Sequence, residues 1–305
     1  MIEVREIKKH FGDVRAVDGI SFSVGRGEVF GLLGPNGAGK TTTISMLSGL
    51  LKPDSGSITV SGIDMARDSR EARAMMGIIP QEIALYDELS GRENLHFWGG
   101  LYGLSGAQLK KRTDEVLEMV GLTARADDAI SKYSGGMKRR INLCAGLIHG
   151  PGIILLDEPT LGIDPQARNN ILDIVKEQAN SGTTVIYTTH YLEEAEMLCD
   201  RIAIMDDGRI FAEGSLEDLI KIAGEEQTVT VTGDLGSFRP AMLPDGVRVQ
   251  HMEEGTLRLL VRDTGAVGGL LNGFYSEGMK VETLSIREPG LQGVFLKLTG
   301  RELRD

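Results

Sequence analysis

The octapeptide Gly34-Pro35-Asn36-Gly37-Ala38-Gly39-Lys40-Thr41 follows the apolar run from Gly27 to Leu33 and precedes a helical pattern that begins near Lys40. The run is short and continuous, as expected of a strand buried on both faces. The octapeptide fits G-x-x-x-x-G-K-[ST], with Thr42 beside it. Its glycines let the backbone curl until several N–H groups converge on one centre. The helix that follows adds positive potential at the same place. Strand, loop and helix in this order predict a phosphate-binding loop, with Lys40 reaching terminal phosphates and the Thr41 hydroxyl on Mg²⁺. A Gly-rich turn with a surface lysine is the plainer reading.

Working outward, Ile153-Ile154-Leu155-Leu156 is a second buried strand, and it ends in Asp157-Glu158. Open α/β sheets bind ligands at the carboxyl ends of their strands, so both acids are placed for chemistry. Asp157 suits Mg²⁺, directly or through water, and Glu158 suits a general base acting on water. Thr183 to Thr188 is a third buried strand, and His190 follows it after Thr188-Thr189. Tyr133-Ser134-Gly135-Gly136-Met137-Lys138-Arg139-Arg140 offers a second anion site on backbone N–H groups at a helix start. Taken alone, it reads as an N-capped helix with a solvated basic face.

Parallel strands with helical crossovers imply a doubly wound α/β core. Asp164 before Pro165 marks an N-cap with proline at the first helical position. Ser105-x-x-Gln108 has the form of a capping box, and Gly121 closes that helix. Ser215-x-x-Asp218 opens a short helix ending at Gly224. The pattern changes there, and a boundary is expected after residue 224, with residues 225–305 a small α+β domain. Its order reads β at Thr228–Thr232, then a hairpin of Val247–Met252 and Thr256–Val261 around Glu253-Glu254-Gly255. A helix over Val267–Glu277, a strand over Val281–Ile286 and a helix over Leu291–Leu298 complete it.

Composition narrows the class. At 305 residues the chain suits about two domains. The net charge of −11 disfavours non-specific nucleic-acid binding. Ten basic and twelve acidic residues from Lys221 onward leave most of that acidity, −9, to the first 220 residues. Cys144 and Cys199 stand apart, in helix-like segments, and read as small buried residues in a reducing compartment. No apolar run reaches the ~18 residues of a membrane helix, and the first residues lack a secretory signal. A cytoplasmic protein is expected, with any membrane part supplied by another chain.

In their order these motifs resemble the nucleotide-binding subunit of ATP-binding cassette (ABC) transporters, over residues 1 to 220. The resemblance implies a P-loop ATPase core with a mostly parallel sheet, an antiparallel β part and a helical subdomain over about 85–145. It implies ATP and Mg²⁺ as cofactors, and Gly34 to Thr42 as the phosphate site. Phe11 would stack on adenine, or serve as a core residue at a strand end. Gln81, after Gly77-Ile78-Ile79-Pro80, would touch Mg²⁺ and the attacking water and sense the membrane subunit. Ser134, Gly135 and Gly136 would grip the γ-phosphate held by a second subunit. Asp164 would link the two sites or simply cap its helix, and His190 would contact the γ-phosphate and order the water.

The family's signature commonly reads Leu-Ser-Gly-Gly-Gln, whereas Tyr133 and Met137 flank the Ser-Gly-Gly here. Met137 lacks a glutamine's hydrogen-bonding groups, which questions any cross-dimer contact at that position. Leu161-Gly162-Ile163-Asp164 also departs from the commoner Ser-Ala-Leu-Asp but keeps its acid. Tyr-Ser-Gly-Gly-Met with Glu-Pro-Thr-x-Gly-Ile-Asp-Pro resembles bacterial drug, antibiotic and lipid exporter ATPases. The stretch Glu288 to Gly300 is similar to their closing helix, with Gly293 for the usual acid, and reads as a stability or dimer-contact extension. The expectation is an active ATPase working as a head-to-tail pair, homo- or heterodimeric, on a membrane-spanning permease at the cytoplasmic face. Tyr86, Phe97, Trp98 and Tyr102 suit either a docking surface or a helical core. The alternatives are a soluble ABC ATPase acting on ribosomes or DNA, and an ATP-binding module without turnover.

Overall fold

Alternation of side chains explains the first sheet. In Ile2–Phe11 (β1) the residues Ile2, Val4 and Ile7 are buried, and Val14–Val24 (β2) buries Val17, Ile20, Phe22 and Val24. The computed structural model describes residues 1–224, 227–253, 255–262, 265–287 and 290–299. These divide into two compact units, from Met1 to Ser215 and from Leu216 onward. The division therefore falls nine residues before the boundary expected after 224, because the helix at Leu216 packs with the tail.

The first unit continues with Val29–Leu33 (β3), Lys40–Leu47 (α1), Ser55–Val60 (β4), Ile63–Asp64 (β5), Ser69–Ala74 (α2) and Met76–Ile79 (β6). Three helices follow, Gly91–Leu101 (α3), Gly106–Met119 (α4) and Gly135–Leu147 (α5). The chain then runs through Ile153–Asp157 (β7), Pro165–Asn180 (α6), Thr184–Thr189 (β8), Leu192–Leu198 (α7), Arg201–Asp206 (β9) and Arg209–Gly214 (β10). One sheet has the order β2-β1-β4-β5 and is antiparallel. The other has the order β10-β9-β3-β8-β7-β6, parallel except for β10 at its edge.

The central strands are buried on both faces, as their continuous apolar runs require. In β7, Ile153 and Leu155 join the core shared with the antiparallel sheet and α1. Ile154 and Leu156 join the core formed with the helices. Each such side chain contributes about 1.5–3 kcal/mol relative to an exposed one. Helix α5 lies close to β6 through two glycines. A Cβ on Gly77 would stand 2.2 Å from the Gly146 carbonyl, and one on Gly146 would stand 2.7 Å from Ile79.

Helix ends follow local chemistry, with one correction. Asp164 caps α6 through a 2.9 Å bond from the Ala167 N–H, with Pro165 at its first turn. Gly121 ends the region after α4 with φ +66°. The capping box expected at Ser105 does not form: Ser105 precedes α4 in extended backbone, and its side chain makes no cap bond. Ser90 and Glu93 make a capping box at α3 instead.

The second unit contains Leu216–Ala223 (α8), Gln227–Asp234 (β11), Val247–Glu253 (β12), Thr256–Val261 (β13), Gly265–Ser276 (α9), Lys280–Arg287 (β14) and Leu291–Thr299 (α10). Its antiparallel sheet has the order β12-β13-β11-β14. Val229, Val231, Leu257, Leu259, Leu270 and Phe274 form its own core. The expected element order is present. Glu254, Glu288, Pro289 and Gly300 lie outside the described residues.

Candidate functional site

Strand β3 ends where Gly34 donates its N–H to the Thr189 carbonyl at 3.2 Å, tying the loop to the neighbouring strand β8. A Cβ on Gly34 would sit 2.1 Å from the Met205 carbonyl. Gly39 has φ +103°, and a Cβ there would sit 2.3 Å from the Ala16 carbonyl. Only glycine fits either position. The loop therefore passes close over its neighbours and delivers α1 with no acidic residue in its first turn. Lys40 Nζ donates to Gly34 O at 2.7 Å and Pro35 O at 3.0 Å. It also lies 2.9 Å from Glu158 Oε1, with both side chains buried.

The end of β7 completes the cluster. The Thr188 hydroxyl donates to Asp157 Oδ1 at 2.7 Å and accepts the Glu158 N–H at 3.0 Å. Burial pushes the Asp157 carboxyl above its usual range, opposed by hydrogen bonds from Thr188 and Thr41 and by Lys40. Glu158 adopts φ +44°, a left-handed conformation uncommon outside glycine. Its Oε2 lies 3.1 Å from Nδ1 of buried His190. Lys40, Thr41, Asp157, Glu158 and His190, distant in sequence, thus form one connected site.

This site fits a phosphate ester with a divalent ion. A glycine-lined backbone cradle and a buried ammonium suit the anion. The Thr41 hydroxyl and the Asp157 carboxylate, already paired, suit a hard cation. Among the described residues no group of three or more His, Cys, Asp or Glu side chains is placed to hold a metal. Such an ion would therefore rely on phosphate oxygens, as Mg²⁺ commonly does.

Two residues that the motifs did not single out organise the surroundings. Arg139, expected on a solvated basic face, is instead 3% exposed. Its Nε donates to Pro159 O at 2.6 Å, Nη1 to Pro80 O at 3.2 Å and Gln81 O at 2.5 Å, and Nη2 to Glu158 O. Burial pulls its guanidinium below the ordinary pKa, against Asp157, Tyr187 and Glu158. Glu194, 0% exposed on α7, accepts hydrogen bonds from Thr160, Tyr187 and Thr189 at 2.6, 2.9 and 2.6 Å. It also pairs with Arg168 of α6 at 2.7 Å. Its position in the first turn of α7, four residues after His190, was the available signal.

The remaining expected residues stand apart from this cluster or at its rim. Phe11 is 52% exposed at the end of β1, which excludes the core reading; Lys9 lies 5.8 Å from its ring centroid. Gln81 is exposed, and its carbonyl is held by Arg139. Ser134 caps α5 by accepting the Met137 N–H at 3.3 Å. Gly135 faces open space, whereas a Cβ on Gly136 would meet Ala167 at 2.8 Å. Asp164 is exposed at its helix cap. The two signature departures have structural roles: Tyr133 is buried and donates its hydroxyl to Arg125 O at 2.6 Å, and Met137 packs on the helical core. Trp98 packs on that core, while Tyr86, Phe97 and Tyr102 remain exposed on the helical subdomain. Cys144 is buried, whereas Cys199 is only partly so. Among the described residues no helix is long and apolar enough to cross a membrane.

Comparison with known proteins agrees with this geometry. The ABC transporter family matches residues 17–161. The chain is 48% identical to the linearmycin resistance ATP-binding protein LnrL of Bacillus subtilis (strain 168), across 100% of both chains. It is 41% identical to the daunorubicin resistance ATP-binding protein DrrA3 of Streptomyces coeruleorubidus, across 99% of this chain and 97% of the relative. With the Nod factor export ATP-binding protein I of Ralstonia nicotianae (strain ATCC BAA-1114 / GMI1000) the identity is 40%, across 100% and 95%. The solved ATP-binding subunit of an ABC transporter superposes with a TM-score of 0.67 at 33% identity, covering 72% of this chain and 92% of that one. The cassette MJ0796, in a dimeric post-hydrolysis state bound to ADP and Pi, gives 0.66 at 26% identity, covering 70% and 98%. The chain therefore belongs to the ABC transporter family, as an ATP-binding and ATP-hydrolysing subunit of the exporter type.

Proposed function

We propose that this subunit powers export of a small molecule of the antibiotic or drug class by pairing head to tail with a second cassette on a membrane permease. The buried Lys40–Glu158–His190 cluster beside Asp157 and Thr41 carries the reading. Gly34 to Thr42 cradle the ATP phosphates, and Lys40 takes the β- and γ-phosphate charge, the phosphates competing with Glu158 for its ammonium. Thr41, Asp157 and Gln81 hold Mg²⁺, which neutralises charge developing on the phosphate oxygens. Glu158 accepts the proton of the attacking water, the water oxygen bonds to the γ-phosphorus, and the bridging oxygen leaves on ADP. His190, fixed by Glu158 through Nδ1, keeps Nε2 for the γ-phosphate. Phe11 stacks on the adenine.

Ser134, Gly135 and Gly136 contribute the second half of the site to the partner's nucleotide, and Asp164 links the two sites. Closure follows because one γ-phosphate contacts both chains, and hydrolysis removes that bridge. In this reading the exposed Tyr86, Phe97 and Tyr102 belong to the face that meets the permease, and the subunit works at the cytoplasmic side of the membrane.

Light scattering on Glu158→Gln, with and without Mg²⁺ and ATP, tests the reading. Nucleotide is retained while hydrolysis falls by about 10²–10⁴-fold, and a monomer becomes a dimer only with ATP. A variant that binds ATP yet stays monomeric would overturn self-pairing. Failure of the wild-type chain to bind ATP would overturn the site assignment.

A further inference from the structure

We infer that Arg139 is a positioning residue that makes the Gln81 segment and the Glu158 turn one mechanical unit. Its catalytic consequence rests on the function proposed above.

The chemistry of the contact supports this role. The guanidinium is planar and presents its N–H groups in a fixed fork. Here the fork meets carbonyl oxygens from two separate segments, Pro80 and Gln81 after β6, and Glu158 and Pro159 after β7. Carbonyl acceptors tie backbone to backbone, so a shift of one segment is carried to the other without an intervening flexible side chain. The group is buried, so water does not stand in readily for a lost contact.

The turn it grips is the one whose geometry chemistry needs most. Glu158 sits at φ +44°, a conformation that persists only where its surroundings hold it. The Thr188 hydroxyl fixes its N–H, and Arg139 fixes its carbonyl. Arg139 itself rides on α5, whose first residues are Gly135 and Gly136. The signature helix, the Gln81 segment and the carboxylate that activates water therefore meet at one side chain. A change at the Gln81 segment moves Glu158 through it, and lysine, a point charge with three donors, does not reproduce the fork.

Hydrogen–deuterium exchange and steady-state ATPase kinetics on full-length Arg139→Gln and Arg139→Lys test the link. In Arg139→Gln, peptides spanning Gln81 and Glu158 exchange faster together, by about tenfold or more, while α4 peptides are unchanged. The turnover number falls at least about tenfold with the KM for ATP within about twofold, because the loss lies in the reacting geometry. Arg139→Lys keeps the thermal midpoint close to wild type and shows the same paired pattern more weakly. It also decides the question should Arg139→Gln not fold. Faster exchange at only one segment would overturn the inference, as would kinetics that merely follow thermal stability. A wild-type chain without ATPase activity would sink the functional reading, while the exchange result would still judge the link.

Discussion

At the scale of single residues, the site depends on buried polar groups whose partners are complete. Glu194 shows this most directly, because one carboxylate accepts from Thr160, Tyr187 and Thr189 and pairs with Arg168. Removing one member of such a buried set leaves the others unsatisfied. Glu194→Ala therefore costs about 3 kcal/mol or more, read as a lower urea midpoint at unchanged slope. Glu194→Gln keeps an acceptor and costs less. Such hubs are hard to see in a linear sequence. The partners of Glu194 lie on three segments, the turn after β7, strand β8 and helix α6, and no short pattern joins them. Arg139 was misread for a related reason: three consecutive basic residues resemble a solvated face, and only the approach of β6 and β7 makes the middle one internal. Asp157, Glu158 and His190 were legible because they stand at or just past the carboxyl ends of buried strands, and Lys40 because the glycine spacing of the loop after β3 marks it.

At the scale of elements, strands announced themselves better than caps. The core strands β3, β7 and β8 were read within two residues, since burial on both faces demands uninterrupted apolar runs. Ser105-x-x-Gln108 had the right letters and formed no cap, while Ser90-Gly91-Arg92-Glu93 had them also and did. The difference lies in the side-chain geometry, which spacing alone does not specify. The two sheets of the first unit are joined by Asp18 of β2, which accepts from Arg209 of β10 at 2.6 and 3.1 Å. That bond, helped by Arg15 and Lys8, holds the Asp18 carboxyl below its usual range. A depressed carboxylate adds stability above its unfolded pKa of about 3.9 and loses it as pH falls through its lower folded value. Asp18→Asn is thus less stable than wild type at neutral pH, and the gap narrows below about pH 4. Thermal midpoints measured across that range check the sign.

At the scale of the whole molecule, two units with separate cores account for the chain. All of the proposed catalytic residues belong to the first. Calorimetry is expected to show two transitions, of which ATP raises only the one belonging to residues 1–215. At free ligand about 100 times the dissociation constant the stabilisation is about 2.7 kcal/mol for one site. A single transition, or a second unit that responds equally, would contradict that division. The relatives named for resistance and export align over essentially the entire chain, tail included. That full-length correspondence favours transport over a soluble remodelling role.

The aromatic packing of the helical subdomain has a practical consequence. The chain contains one tryptophan, Trp98 on α3, set edge-on to Phe97 at 5.4 Å and resting on the helical core. Intrinsic emission excited near the red edge of protein absorption therefore comes from a single position, in the first unit, within the helical subdomain. The second unit is dark at that wavelength. The protein carries its own unlabelled optical gauge, and any shift in colour or quenching on adding nucleotide belongs to the surroundings of α3 and to nothing else in the chain.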